Sequence, residues 1–159
     1  MNLLRFVMLL SLVVWIGGII FFAFVVAPTV FSVLPTRHLA GQVVNRSLTA
    51  LHWMGIVSGI VFLITSMIYS RLSVGYLHLF APRHVLVVIM LVLTLISMFV
   101  VASKMEVLRA DMGIIDNVQQ NDPRRIEFNE LHRWSTRLEV GVFAMGLAVL
   151  YLTGKALSN

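Results

Sequence analysis

The sequence predicts an all-α integral membrane protein, an antiparallel four-helix bundle that forms a single domain over residues 1–159. Of its residues, 59% are hydrophobic and only 12% are charged, whereas soluble domains carry about 25% charged residues. The charged residues are clustered, and they leave apolar runs long enough to cross a bilayer, which takes about 20 helical residues. These two observations together predict the fold class.

Four apolar runs are long enough to be membrane spans. They cover approximately residues 3–26, 48–69, 85–103 and 131–157. The first run is longer than the apolar core of a signal peptide, which has about 7–15 residues. We therefore expect it to be a retained helix, with Pro28 just beyond its end.

The connections between the spans differ in character. Residues 35–46 are moderately amphipathic and form either a short interfacial helix or an extension of the second span, with Thr36 as the N-cap. The polar loop 104–130 is the longest connection. We expect its first part, Met105–Ile115, to extend the third helix into water, and we expect Pro123 or Arg124 to open the fourth helix.

The distribution of Lys and Arg predicts the orientation. Eight of the 12 lie at the end formed by the first and third loops, and four lie at the opposite end. Since cytoplasmic loops carry the excess of Lys and Arg, we expect both termini on the non-cytoplasmic side, most simply of a bacterial inner membrane. The eight are Arg37, Arg46, Lys104, Arg109, Arg124, Arg125, Arg133 and Arg137, and the four are Arg5, Arg71, Arg83 and Lys155.

The composition also excludes some classes of site and partner. The chain contains no cysteine, which excludes disulfides, thiolate metal sites and cysteine nucleophiles. The formal net charge of +5 does not indicate nucleic-acid binding, because the basic residues lie at helix ends, next to anionic lipid headgroups. We expect membrane lipids as partners, and either a homo-oligomer or a subunit of a membrane complex.

Histidines on two helices suggest a cofactor site. Alternating crossings bring His52, Glu106 and His132 to one face of the membrane, whereas His78 and His84 lie at the other face, where we expect them to be interfacial. Two histidines on separate helices of a bundle can supply axial ligands to heme b or hold a metal such as copper, with Glu106 as a further metal ligand. The alternative is that these histidines only bind headgroups, water or backbone.

The start of the fourth span carries polar residues at helical spacing. His132, Ser135, Thr136 and Glu139 follow the pattern i, i+3, i+4, i+7 and share one helix face. A carboxylate inside the membrane is costly and should face protein or water rather than lipid. Glu139 is expected to relay protons or compensate charge, or else to form an internal pair with Ser58, Thr65 or an arginine.

Small residues mark the helix-packing positions. Trp15, Gly17 and Gly18 lie on the first helix, and Gly55 and Gly59 form a small-xxx-small pair on the second. Glycines at such positions allow helices to approach closely. The alternative is that they leave room for a flat cofactor such as a porphyrin.

Nearly the whole chain resembles a known family. WIGGIIFFAFVVAPTVFSVLP, AGQVV, KMEVLRADM and FNELHRWSTRLEVGVFAMGLAVL look like the bacterial relatives of transmembrane protein 205, a four-helix membrane domain of unknown function. That family often has Asn where this chain has Glu139. A fainter likeness, in the Trp-x-Gly-Gly of the first helix, GYLH and FNE, is to the heme-containing membrane protoporphyrinogen oxidases and to copper-resistance D-type proteins.

These observations leave three hypotheses for the function. The first is an integral membrane protein that binds heme or a transition metal at His52 and His132, for redox chemistry or metal handling. The second is an oligomeric transporter or channel-like module, because four helices enclose little volume. The third is a non-catalytic assembly or lipid-binding subunit. No catalytic residues are identified from the sequence, and whether the protein is an enzyme is left open.

Overall fold

Four long helices make up the computed structural model, which describes residues 1–75 and 80–158. They are α1 (Asn2–Val33), α2 (Arg37–Val74), α3 (Pro82–Met112) and α4 (Pro123–Ser158). Each is long and apolar enough to cross a membrane. A short 3-10 turn, Ile115–Asn117, lies in the loop before α4, and the described ranges contain no strand. The predicted all-α four-helix membrane fold is thus confirmed.

The helices pack in a square. Helix α1 contacts α2 and α4, and α3 contacts the same two neighbours. Because short connections join consecutive helices, each runs antiparallel to the helix before it. The C-terminal ends of α1 and α3 therefore meet the N-terminal ends of α2 and α4 at one face of the bundle, which we call the loop face.

Local signals in the sequence set the helix ends. The side chain of Thr36 accepts a hydrogen bond of 3.2 Å from the backbone N–H of Leu39 and so caps α2. Gly75 and Gly113 follow the last residues of α2 and α3 with φ of +81° and +64°, angles that favour glycine. The amphipathic residues 37–46 continue directly into the second span, so they extend α2 rather than form a separate interfacial helix.

Helix α1 widens before Pro28. Residues Phe22–Val26 are π-helical, and the backbone N–H of Ala27 donates to the carbonyl of Phe22, five residues earlier. Proline lacks an N–H and its ring clashes with the carbonyl four residues before it, here that of Phe24. A second π-helical stretch, Ser97–Ala102, interrupts α3. Such stretches occur often at functional sites.

The core depends on small residues opposite one large ring. Trp15 is 2% exposed, and Gly55 and Gly59 of α2 lie against it. Gly18 lies in the same way against Leu51 and Met54 of α2. A side chain at any of these three glycines would overlap its neighbours, so they permit the close approach of α1 and α2.

Gly17 has a different position from the other glycines of this group. It lies on the outer face of α1, where an added Cβ atom would meet no atom within 4 Å. Gly17 is therefore placed toward lipid in this structure, rather than in the contact between α1 and α2.

The end opposite the loop face carries a buried polar cluster. His84 is 2% exposed and its Nε2 lies 2.7 Å from Oγ of Ser66, which also accepts from Nε of Arg83 at 3.1 Å. His84 therefore faces the serines of α2 rather than solvent, and its expected depth at the membrane interface stays a prediction. His78 lies outside the described residues.

Asp122 caps the start of α4. Its Oδ1 accepts a hydrogen bond of 2.9 Å from the backbone N–H of Arg124, and its Oδ2 accepts one of 2.8 Å from Nη2 of the same residue. The pKa of Asp122 is lowered to about 2 from its usual 3.8, mainly because of the hydrogen bonds from the Arg124 side chain. Pro123 follows at the first helical position, which suits proline.

Replacing Asp122 by alanine should destabilise the protein in a pH-dependent way. A carboxylate whose pKa is lowered by folding contributes stability above its unfolded pKa, and loses that contribution as the pH falls through the folded value. We therefore expect the thermal midpoint of Asp122→Ala in maltoside micelles to lie below that of the parent at pH 6 and to approach it near pH 2. The thermal midpoint of Asp122→Asn should fall less, because the asparagine side chain can still cap the helix. An equal deficit at both pH values would contradict this role of the carboxylate.

Candidate functional site

A carboxylate and an imidazole meet across the diagonal of the bundle. Nε2 of His52 on α2 lies 2.6 Å from Oε1 of Glu139 on α4, and their side chains are 3% and 17% exposed. This distance is that of a short hydrogen bond between the imidazole and the carboxyl group. Because its carboxyl group contacts His52 and its side chain is only 17% exposed, Glu139 faces protein rather than lipid.

The lengths of α2 and α4 explain why these two residues meet. At 1.5 Å per residue, His52 lies about 22 Å from the start of α2 at Arg37, and Glu139 lies about 24 Å from the start of α4 at Pro123. His132 lies only about 14 Å along α4. Since both helices start at the loop face, His52 is at the depth of Glu139 and deeper than His132.

A cavity of about 1010 Å³ extends from Glu139 to the loop face. Apolar side chains of α1 and α4 form much of its wall, and the lining residues Ile20, Phe24 and Val140 are among the exposed residues of these two helices. The cavity therefore opens sideways between α1 and α4, toward the membrane. The apolar lining residues are Ile19, Ile20, Phe22, Ala23, Phe24, Ala27, Phe31, Val44, Leu48, Ala102, Met105, Ile115, Phe128, Val140 and Phe143.

The end of the cavity at the loop face is polar and basic. Arg37 is the first residue of α2, Arg109 lies in the last turn of α3, and Arg125 lies in the first turn of α4. Arg125 donates through Nη1 to the backbone carbonyls of Val118 and Ile115, which holds the loop before α4 over this end. The cavity has further polar lining residues, of which Glu139 lies deepest: Asn45, Asn129, His132, Ser135, Thr136 and Glu139.

Arg109 is the most buried of these cations. The residue is 7% exposed, and its guanidinium carbon lies 5.5 Å from the centroid of the Phe128 ring. Its Nη1 donates to Oε2 of Glu106 at 3.3 Å, but the Glu106 side chain is 64% exposed. Nε of Arg109 is buried and has no hydrogen-bond partner in the described part of the chain. A buried donor without a partner costs about 1–3 kcal/mol, more when it is charged.

The structure separates the predicted metal ligands. His132 lines the cavity, His52 instead contacts Glu139, and Glu106 points to solvent, where it accepts from Asn45 and Arg109. Across residues 1–75 and 80–158, no group of three or more His, Asp or Glu side chains is arranged to hold a metal ion. Heme and metal binding stay predictions.

The distribution of charge along the sequence predicts for Arg109 only a place among the basic residues of one membrane face. A stronger signal was present in its spacing, because Met105, Arg109 and Met112 follow i, i+4, i+7, and all three are buried. An arginine on the apolar stripe of a helix indicates an inward-facing charge.

Comparison with known proteins identifies one family. The family model described as Domain of unknown function (DUF4149) matches residues 10–113, which include most of α1 and all of α2 and α3. No curated protein and no solved structure matches the chain. Helix α4, which carries His132 and Glu139, lies outside the matched range.

Proposed function

Because the chain belongs to the DUF4149 family, whose description assigns no activity, we propose a function from its geometry: it binds an amphipathic molecule from the membrane in the cavity between α1 and α4. The observation that carries this proposal is the cavity itself, about 1010 Å³ in volume, with apolar walls, a lateral opening and a basic end. Ligand pockets usually have volumes of about 300–1,000 Å³, and this cavity is at the upper end of that range. An apolar chain would enter from the bilayer between Phe24 and Val140.

The polarity of the cavity supports an elongated ligand. Apolar residues line the part beside α1, including the π-helical stretch, whereas the three arginines lie at the loop face. A purely apolar molecule would leave Nε of Arg109 without a hydrogen-bond partner, and a small polar molecule would leave the apolar wall unfilled. A molecule with one apolar and one polar end satisfies both.

Filling the cavity with a larger side chain tests this function. Ala23 lines the cavity, whereas Ala144 is exposed on α4 and does not line it. We expect Ala23→Phe to lower the amount of amphiphile that co-purifies with the protein, measured by native mass spectrometry and lipid extraction, by about tenfold. Ala144→Phe, a matched change on the outer surface, should retain the amount bound by the parent. Equal retention by both variants would show that the cavity is not the binding site.

Binding of heme b or copper is a second candidate, favoured by the position of His132 on the wall of a large cavity. Imidazole is a common ligand for both. The absorption spectrum and elemental analysis of freshly purified protein test it. A Soret band that Ala23→Phe removes would support heme as the occupant, whereas a protein without such a band and without bound metal would exclude this candidate.

We also propose a location in a bacterial inner membrane, with both termini on the non-cytoplasmic side, and a relationship to the bacterial relatives of transmembrane protein 205. The distribution of Lys and Arg, eight against four, supports the orientation, and the motifs at Trp15 and His132 support the relationship. The basic end of the cavity would then face the cytoplasm. A fusion of alkaline phosphatase to the C-terminus should be active, because this enzyme folds only outside the cytoplasm. If only a fusion to a reporter that works in the cytoplasm is active, the orientation is opposite to the one proposed.

A further inference from the structure

The electrostatics of the cavity point to the chemistry of one end of its ligand. Arg37, Arg109 and Arg125 line this end, and Glu139 is the one acidic residue among the described lining residues. Glu139 lies deeper in the bundle and already contacts His52. The basic end therefore contains three arginine side chains, and no carboxylate of the cavity wall neutralises them.

The acidic groups near this end are engaged outside the cavity. Glu106 contacts Arg109 from a largely solvent-exposed position, where an ion pair contributes little. Asp116 accepts a hydrogen bond of 3.1 Å from the backbone N–H of His38. Arg109 thus remains a buried cation whose strongest anionic partner is in water.

The guanidinium of Arg109 lies beside a position of α2 that carries no side chain. Gly41 of α2 faces its guanidinium, and a Cβ atom added there would lie 3.6 Å from Nη2. The buried Nε has no partner in the described chain. A guanidinium presents its donors in a planar fork that binds phosphate or carboxylate through two parallel hydrogen bonds.

We propose that Arg109, with Arg37 and Arg125, binds the phosphate headgroup of the amphiphile held in the cavity. This inference rests on the proposed function, since the apolar part of the ligand occupies the wall described there. A phosphate monoester carries a charge of about −1.5 to −2 at pH 7 and matches three cations better than a carboxylate does. Arg109 is the central contact, because it alone of the three is nine-tenths buried.

Lipid probes that differ only in the headgroup test the proposal. The full chain is placed in phosphatidylcholine nanodiscs, and the fluorescence of acyl-labelled lysophosphatidate, lysophosphatidylcholine and monoacylglycerol is titrated. Hydrogen bonds to a charged group contribute about 1.5–3 kcal/mol, which corresponds to a preference for lysophosphatidate over monoacylglycerol of about tenfold to hundredfold. We expect Arg109→Gln to remove this preference while the affinity for monoacylglycerol stays the same.

Two further variants distinguish the headgroup contact from a structural role. Arg109→Lys keeps the charge but loses the fork, so it should retain part of the preference. Arg133→Gln removes an arginine that is 61% exposed and does not line the cavity, and it should behave as the parent. If Arg109→Gln fails to fold, the preference of the parent and of Arg109→Lys still decides the question.

The possible outcomes separate this proposal from the function on which it rests. Equal binding of all three probes by the parent would overturn the headgroup site and leave the cavity function standing. Binding of none of them would overturn both. Displacement of lysophosphatidate by inorganic phosphate at similar concentrations would show that the site takes free phosphate, and would overturn the assignment to a lipid headgroup.

Discussion

Replacing Gly59 by leucine is expected to prevent α1 and α2 from packing together. An added Cβ atom at Gly59 would lie 2.8 Å from Cζ3 of Trp15 and 2.8 Å from Cδ2 of Leu91. Gly59→Ala alone should reduce the free energy of unfolding by about 1–3 kcal/mol, the usual effect of overpacking. The leucine variant should not be recovered as a monodisperse protein, as measured by size-exclusion chromatography in maltoside.

Gly17 provides the matched control for this prediction. An added side chain at Gly17 meets no atom within 4 Å, so Gly17→Ala and Gly17→Leu should lie within about 0.5 kcal/mol of the parent. Equal effects at Gly17 and Gly59 would mean that the contact between Trp15 and Gly59 does not stabilise the bundle.

Breaking the pair of His52 and Glu139 is expected to cause the second large effect. His52→Leu leaves the carboxylate inside the membrane without its partner, and the removal of one member of a buried pair costs about 3–5 kcal/mol. Unfolding in micelles, followed by the near-ultraviolet circular dichroism of the tryptophans, measures this cost. Glu139→Gln should be milder, because the amide oxygen still accepts a hydrogen bond from the imidazole.

The double variant makes the second prediction specific to the pair. His52→Leu with Glu139→Leu removes both polar groups, and replacing a whole buried pair by apolar residues is often neutral or stabilising. We therefore expect it to be more stable than His52→Leu alone, which gives a large coupling energy in the double-mutant cycle. Additive losses would show that the two side chains do not act together.

The number of helices was predictable because the membrane imposes one length and one composition on every span. Four apolar runs predict the four helices, and Thr36, Pro82 and Pro123 mark the starts of α2, α3 and α4. Hydropathy does not show how far each helix continues beyond the apolar run. Residues 37–46 and 123–130 are polar, yet both are helical extensions of a span.

These extensions decide which residues meet in the site. When depth is counted from the ends of the apolar runs, His52 and His132 lie at similar depth. This is why the sequence predicts that they form a pair of ligands. When depth is counted from the first residue of each helix, His52 lies at the same depth as Glu139, and the two residues make contact. Ser58, Thr65 and the arginines, which the sequence offers as partners for Glu139, lie elsewhere because register and rotation depend on all four helices together.

The apolar periodicity and charge distribution of the chain are sufficient to determine a membrane-spanning four-helix bundle, because hydrocarbon accepts only helices whose backbone groups are paired. They also place an ionisable residue, Glu139, inside it. Only the tertiary structure decides that Glu139 contacts His52, that the helices leave a cavity open toward lipid, and that Arg109 is buried at its basic end. Sequence patterns describe one helix at a time, whereas a cavity and its charges arise from the way in which four helices fail to fill the space between them.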